Sequence, residues 1–114
     1  MKLQLTVTSL RLRIDESELA VLQAGQTLEL APRHGGEALI ALEVCVGESF
    51  AFAHQGPSWR LCIPGDALQQ YVEGLPSRDP LGLRLEGEGG LRIDFDVDVR
   101  DSIAIRGARR RRPG

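Results

Sequence analysis

Apolar and polar residues alternate with a period of two along most of this chain, and a helical period intrudes only twice. The first segment, KLQLTVTSLRLRI, alternates but changes phase: Leu3, Leu5 and Val7 share one parity, and Leu10, Leu12 and Ile14 the other. A bulge or bend near Thr8-Ser9 would turn both sets into one core. QTLELA reads as a short strand, and PRHGGE as a turn. ALIALEVCV is a stronger strand carrying Ile40, Leu42, Val44 and Val46 on one face, and SFAFAH aligns Phe50 with Phe52. After the turn-forming QGPS comes WRLCI, with Trp59, Leu61 and Ile63 on one side. LGLRLEGEGGLRIDFDVDV reads as a hairpin with its Gly-rich turn at 87–90, and SIAIRGARRRRPG as one short strand and a polar tail.

The two helical stretches carry start and stop signals. In DESELAVLQAG, Asp15 is placed to cap the open amides and Glu18 to complete a capping box. Ile14 and Leu19 are spaced for a hydrophobic staple, and Gly25 supplies the exit. In PGDALQQYVEGLP, Asp66 and Gln69 repeat the capping pattern, Leu68, Tyr71 and Val72 form the apolar stripe, and Gly74-Leu75-Pro76 ends it. The order is βαββ followed by ββαββ. RLRIDESELAVLQAGQTLEL and RLCIPGDALQQYVEGLPSRDPLGLRL share strand, capped helix, glycine and strand. Two such units could pack about a pseudo-twofold axis, although the identity is too thin to establish duplication. The expected fold is α+β, a strongly curved antiparallel sheet or small barrel of about seven strands with two short helices. Residues 1–105 form a single domain in this reading, and 106–114 a basic, disordered tail.

RIDFDVDV places Asp94, Asp96 and Asp98 two residues apart, superficially the first half of a calcium loop. That loop needs glycine at its sixth position and glutamate at its twelfth; here Val99 and Ile105 stand there. Side chains two apart on a strand are roughly 7 Å from one another, too far to share one calcium ion. The carboxylates are therefore expected on the polar face of a strand, opposite arginines. Arg11, Arg13, Arg60 and Arg84 are the candidates to meet them if that face lines a groove, with Arg92 and Arg100 nearby. Opposite charges across a ladder contribute about 0.2–1 kcal/mol each and help fix register.

The net charge of −2 is uneven. Five of the fourteen basic residues, Arg106 and Arg109 to Arg112, lie in the last nine positions, leaving nine against sixteen acidic residues elsewhere. Such a body repels nucleic acid and anionic membranes, so nucleic acid is an expected partner only through the RGARRRRP end. No apolar run approaches the ~20 residues of a membrane helix, and no secretion signal is visible, which makes the cytoplasm the expected compartment and excludes a membrane partner. Cys45 and Cys62 are expected as reduced, half-buried thiols; with His34 and His54 they match no zinc spacing. G-x-S-x-G, H-E-x-x-H and phosphate-loop patterns are missing, both histidines sit beside turns, and GEGG lies in a hairpin. No catalytic residue, metal or cofactor is expected.

Arg11-Leu12-Arg13-Ile14 ending the first strand, Glu16-Ser17-Glu18-Leu19 opening the first helix, and Ile63-Pro64 before the helix bearing Gln69 to Glu73 together resemble a family of small bacterial proteins classed as a domain of unknown function. The resemblance covers most of residues 1–100 and implies no activity. The arginine tail departs from it. CIPGDALQQYVEG followed by a hairpin is similar to AbrB-like transcription factors, which implies swapped barrels gripping DNA through residues such as Arg11, Arg13 and Arg60. Three functions follow as expectations: a non-enzymatic binding or interaction module for a protein or small molecule, an AbrB-like DNA binder, and a ligand-binding or hydrolytic barrel using Arg11, Arg13 and Asp96.

Overall fold

The computed structural model describes residues 1–76, 79–84 and 90–99. The expected turn at 87–90 lies mostly outside the described residues, and the expected last strand and the tail at 106–114 lie wholly outside them.

The N-terminal segment is two strands rather than one bent strand. β1 (Lys2–Leu5) and β2 (Ser9–Asp15) form an antiparallel hairpin that sets Lys2 opposite Arg13 and Leu5 opposite Leu10. The Thr6 amide donates to the Ser9 carbonyl at 2.9 Å to close the turn. The change of phase read from the sequence is a reversal of direction. Leu10, Leu12 and Ile14 are buried and Leu3 half-buried, whereas Leu5 and Val7 stay exposed, so the first set reaches the core only in part.

Helix α1 (Glu16–Gln23) has the expected capping box: the Glu18 amide donates to Asp15 Oδ1 at 2.7 Å, and the Asp15 amide to Glu18 Oε1 at 3.0 Å. At its end the Gly25 amide bonds the Leu22 carbonyl and the Gln26 amide the Val21 carbonyl. This is a Schellman closure, and it requires the positive φ of Gly25 (81°). Asp15→Ala is expected to cost about 1 kcal/mol, lowering the thermal midpoint by about 5 °C; an unchanged melting curve would contradict the cap.

Next come β3 (Leu28–Leu30), the ribbon β4 (Arg33–His34) and β5 (Glu37–Ala38), β6 (Ala41–Gly47), β7 (Ala51–Gln55) and β8 (Ser58–Pro64). The ribbon turns on Gly35-Gly36, both at positive φ as a two-residue type I′ turn demands. His54 lies within β7 rather than in the following turn. Helix α2 (Gly65–Glu73) is capped differently from expectation. Pro64 is its N-cap and makes no side-chain bond, and Asp66 falls in the first turn, where a carboxylate complements the helix dipole. A Cβ on Gly65 would come within 3.3 Å of Val46, so glycine lets the helix start close against β6. β9 (Leu81–Arg84) and β10 (Arg92–Asp98) complete the described elements.

The strands form two four-stranded sheets, ordered β1-β2-β10-β9 and β3-β6-β8-β7, beside the β4–β5 ribbon. Each sheet has a parallel pair at its centre, β2 with β10 and β6 with β8, flanked by antiparallel partners. The α+β class with two short helices is as expected, but the strands make two mixed sheets instead of one antiparallel sheet, and among the described residues no sheet closes into a barrel. The cause is long-range. β10 returns to insert between β2 and β9, and β8 between β6 and β7, which local alternation cannot specify. The inward faces of both sheets and the apolar stripes of both helices build one core, including Leu12, Leu22, Leu42, Leu61, Leu68 and Phe95.

The two halves repeat one another in topology. Hairpin β1–β2, helix α1, β3 and β6 follow the same path as hairpin β7–β8, helix α2, β9 and β10. The central registers match position by position: Asp94 faces Arg11 as Glu43 faces Arg60, and Asp96 faces Arg13 as Cys45 faces Cys62.

Candidate functional site

The period of two settles which way the three aspartates point. Ile93, Phe95 and Val97 of β10 are buried, so Asp94, Asp96 and Asp98 occupy the opposite face of the strand. The parallel register sets Asp94 against Arg11 and Asp96 against Arg13. Asp96 is the buried polar residue of the described core, its side chain 10% exposed. Both arginines bond it: Arg11 donates from Nε at 3.1 Å and Nη2 at 2.7 Å to Oδ2, and Arg13 donates from Nε to Oδ1 at 2.9 Å. Burial alone would raise the Asp96 pKa, but the bonds from Arg13 and Arg11 outweigh it and hold the carboxyl below its ordinary value.

Lys2 and Gln4 of β1 stand opposite Arg13 and Arg11, and the four side chains line an open depression of about 300 Å³. Arg11 and Arg13 meet the buried carboxylate of Asp96, and Lys2 stands opposite Arg13. The guanidiniums are still 44% and 43% exposed, so both the clasp and the solvent reach them.

The other candidates lie elsewhere. Asp94 is bonded by its strand neighbour Arg92 (Nε to Oδ2 3.2 Å). Asp98 stands at the end of the ladder opposite Asp15. Arg84 is in β9 with its backbone opposite Arg92, and its side chain is outside the described part. Arg60 is corrected in place: it belongs to the second sheet, between Glu43 and Ala53, where it lines a different depression of about 340 Å³ with His54 and Trp59. It therefore does not join the aspartates, because the sequence holds two sheets where one had been read.

Two residues of the site escaped the sequence reading. Lys2 and Gln4 join the site only because the N-terminal segment doubles back. Tyr71 of α2 accepts a bond from the Val97 amide at 3.2 Å and packs edge-on to Phe95 with ring centroids 6.1 Å apart, tying the helix to the end of β10. Burial raises its pKa, and the Val97 bond offsets part of that rise. The helical stripe gave Tyr71 away as a core residue but not its bond.

Among the described residues Asp96 is the one buried acid, and two guanidiniums hold it ionised. Among the described residues, no three His, Cys, Asp or Glu side chains gather where they could hold a metal ion, and no helix is long and apolar enough to cross a membrane. The chain matches no protein-family model, and comparison with curated proteins finds no relative.

Proposed function

We propose that this protein is a non-enzymatic binding module, whose outer face on the first sheet receives a carboxylate-bearing segment of a protein partner. The observation that carries the reading is that Arg11 and Arg13, held by Asp96 yet still 44% and 43% exposed, line an open depression together with Lys2 and Gln4. Asp96 holds the two guanidinium planes in place, so an incoming anion meets donors that have already lost much of their rotamer freedom. Arginine forks and a flexible lysine suit carboxylates, and Gln4 adds a neutral donor and acceptor at the rim.

The test uses an oligoglutamate peptide titrated into the protein at low and moderate salt. Saturable binding that weakens with salt, and about fivefold further in Lys2→Ala, supports the reading. Binding indifferent to that substitution, or none at low salt, contradicts it. Duplex DNA serves as the second titrant: DNA binding lost in Lys2→Ala would favour the AbrB-like reading instead.

A further inference from the structure

The repeated topology puts a different pair of side chains at the same place in each half. Where the first sheet joins its central parallel strands through Asp96 and Arg13, the second has Cys45 and Cys62, directly opposite in register and with Sγ atoms 2.8 Å apart. We propose that Cys45 and Cys62 form a thiol–disulfide site, a reversible covalent staple between β6 and β8 that takes small-molecule disulfides as its oxidant.

Three independent features support this. Neighbouring strands lie about 4.8 Å apart, inside the Cα separation of 4.4–6.8 Å that a disulfide accepts, so register pairing alone sets the two backbones at bridging distance. The thiols already point at one another, with neither buried in the core; both are half-buried and free. Their surroundings are also small. Exposed Ala51 of β7 faces Cys62 across the sheet, and a Cβ added at Gly47 would still sit 3.7 Å from Cys62 Sγ. In the first half the place of Ala51 is taken by Lys2. The contact with the Cys45 thiol and burial hold the Cys62 pKa above its ordinary value against the opposing charge of Arg60, so the step needs a pH at which that thiol ionises.

In the step itself one cysteine thiolate attacks a sulfur of the small disulfide RSSR. A protein–SR bond forms and RS⁻ leaves with the electron pair of the broken S–S bond. The second cysteine thiolate then attacks the protein sulfur of that mixed disulfide, forming Cys45–Cys62 and releasing the second RS⁻. The two protons lost by the cysteines end on the two RSH molecules; the protein is oxidised by two electrons and RSSR reduced by two.

The folded, full-length chain is incubated with oxidised glutathione, quenched in acid and analysed by intact mass and peptide mapping without reduction. The expected result is a monomer lighter by two hydrogens, a Cys45–Cys62 crosslinked peptide, two thiols lost to alkylation, and full reversal by dithiothreitol. Cys45→Ser is expected to stop at a stable glutathione adduct on Cys62, which the unaltered chain resolves. Persistent glutathione adducts on the unaltered chain, disulfide-linked dimers, or a crosslink that forms only in urea would each overturn the proposal.

Discussion

Phe95→Ala is expected to remove about 3–5 kcal/mol of stability, out of the ~5–15 kcal/mol that a domain of this kind possesses. Phe95 is fully buried at the centre of β10, with Leu12 of β2 and Leu81 of β9 as its register partners and the Tyr71 ring edge-on to it. Truncation opens a cavity that three elements border and that the flanking strands, fixed by backbone bonds, cannot collapse to fill. The urea midpoint at neutral pH should fall steeply with the slope unchanged. A loss below ~1 kcal/mol would mean that the row of apolar residues between the aspartates is not the inner face of the strand.

Replacing Arg11 and Arg13 together with alanine is expected to cost about 2–3 kcal/mol at neutral pH, at the lower end for a buried pair because both guanidiniums are partly solvated. The loss comes from leaving Asp96 in a place where burial opposes its charge. The pH dependence gives the clearer signature. In the unaltered protein the native carboxyl titrates below its unfolded value. Its contribution to stability is therefore complete above the ordinary aspartate pKa and disappears as the pH falls from there through the lower native value. In the double variant burial acts unopposed and the native pKa rises above the ordinary value, so its penalty is greatest at neutral pH and shrinks on acidification. The stability gap between the two proteins should narrow as the pH is lowered; a constant gap would show that the arginines act through packing and not through the Asp96 charge.

Local patterns carried much of this structure. The capped helix α1 could be read residue by residue, because Asp15, Glu18, Ile14, Leu19 and Gly25 each act within one turn of their neighbours. The alternation in β10 was enough to exclude a calcium loop and to place its aspartates opposite arginines, and Arg11, Arg13 and Asp96 do meet. Phase alone, however, cannot separate a bulge from a hairpin, so the doubling back at Thr6, and with it Lys2 and Gln4 of the site, stayed hidden. Nor does anything local tell β10 to lie parallel to β2, or β8 parallel to β6. Those pairings join residues 83 positions apart in the first sheet and 17 apart in the second and are chosen by how two apolar faces close over one core. Arg60 was misplaced for that reason. The faint echo between the two helical units, too thin in identity to establish duplication, becomes visible as matching registers only once both sheets are traced.

Asp96 is the point on which this account turns, and its own titration tests it most directly. With carboxyl carbons labelled, NMR across the acid range should show Asp96 changing protonation below the ordinary aspartate value in the unaltered protein. A midpoint at or above that value would contradict the clasp by Arg11 and Arg13, and with it the parallel pairing that brings them together.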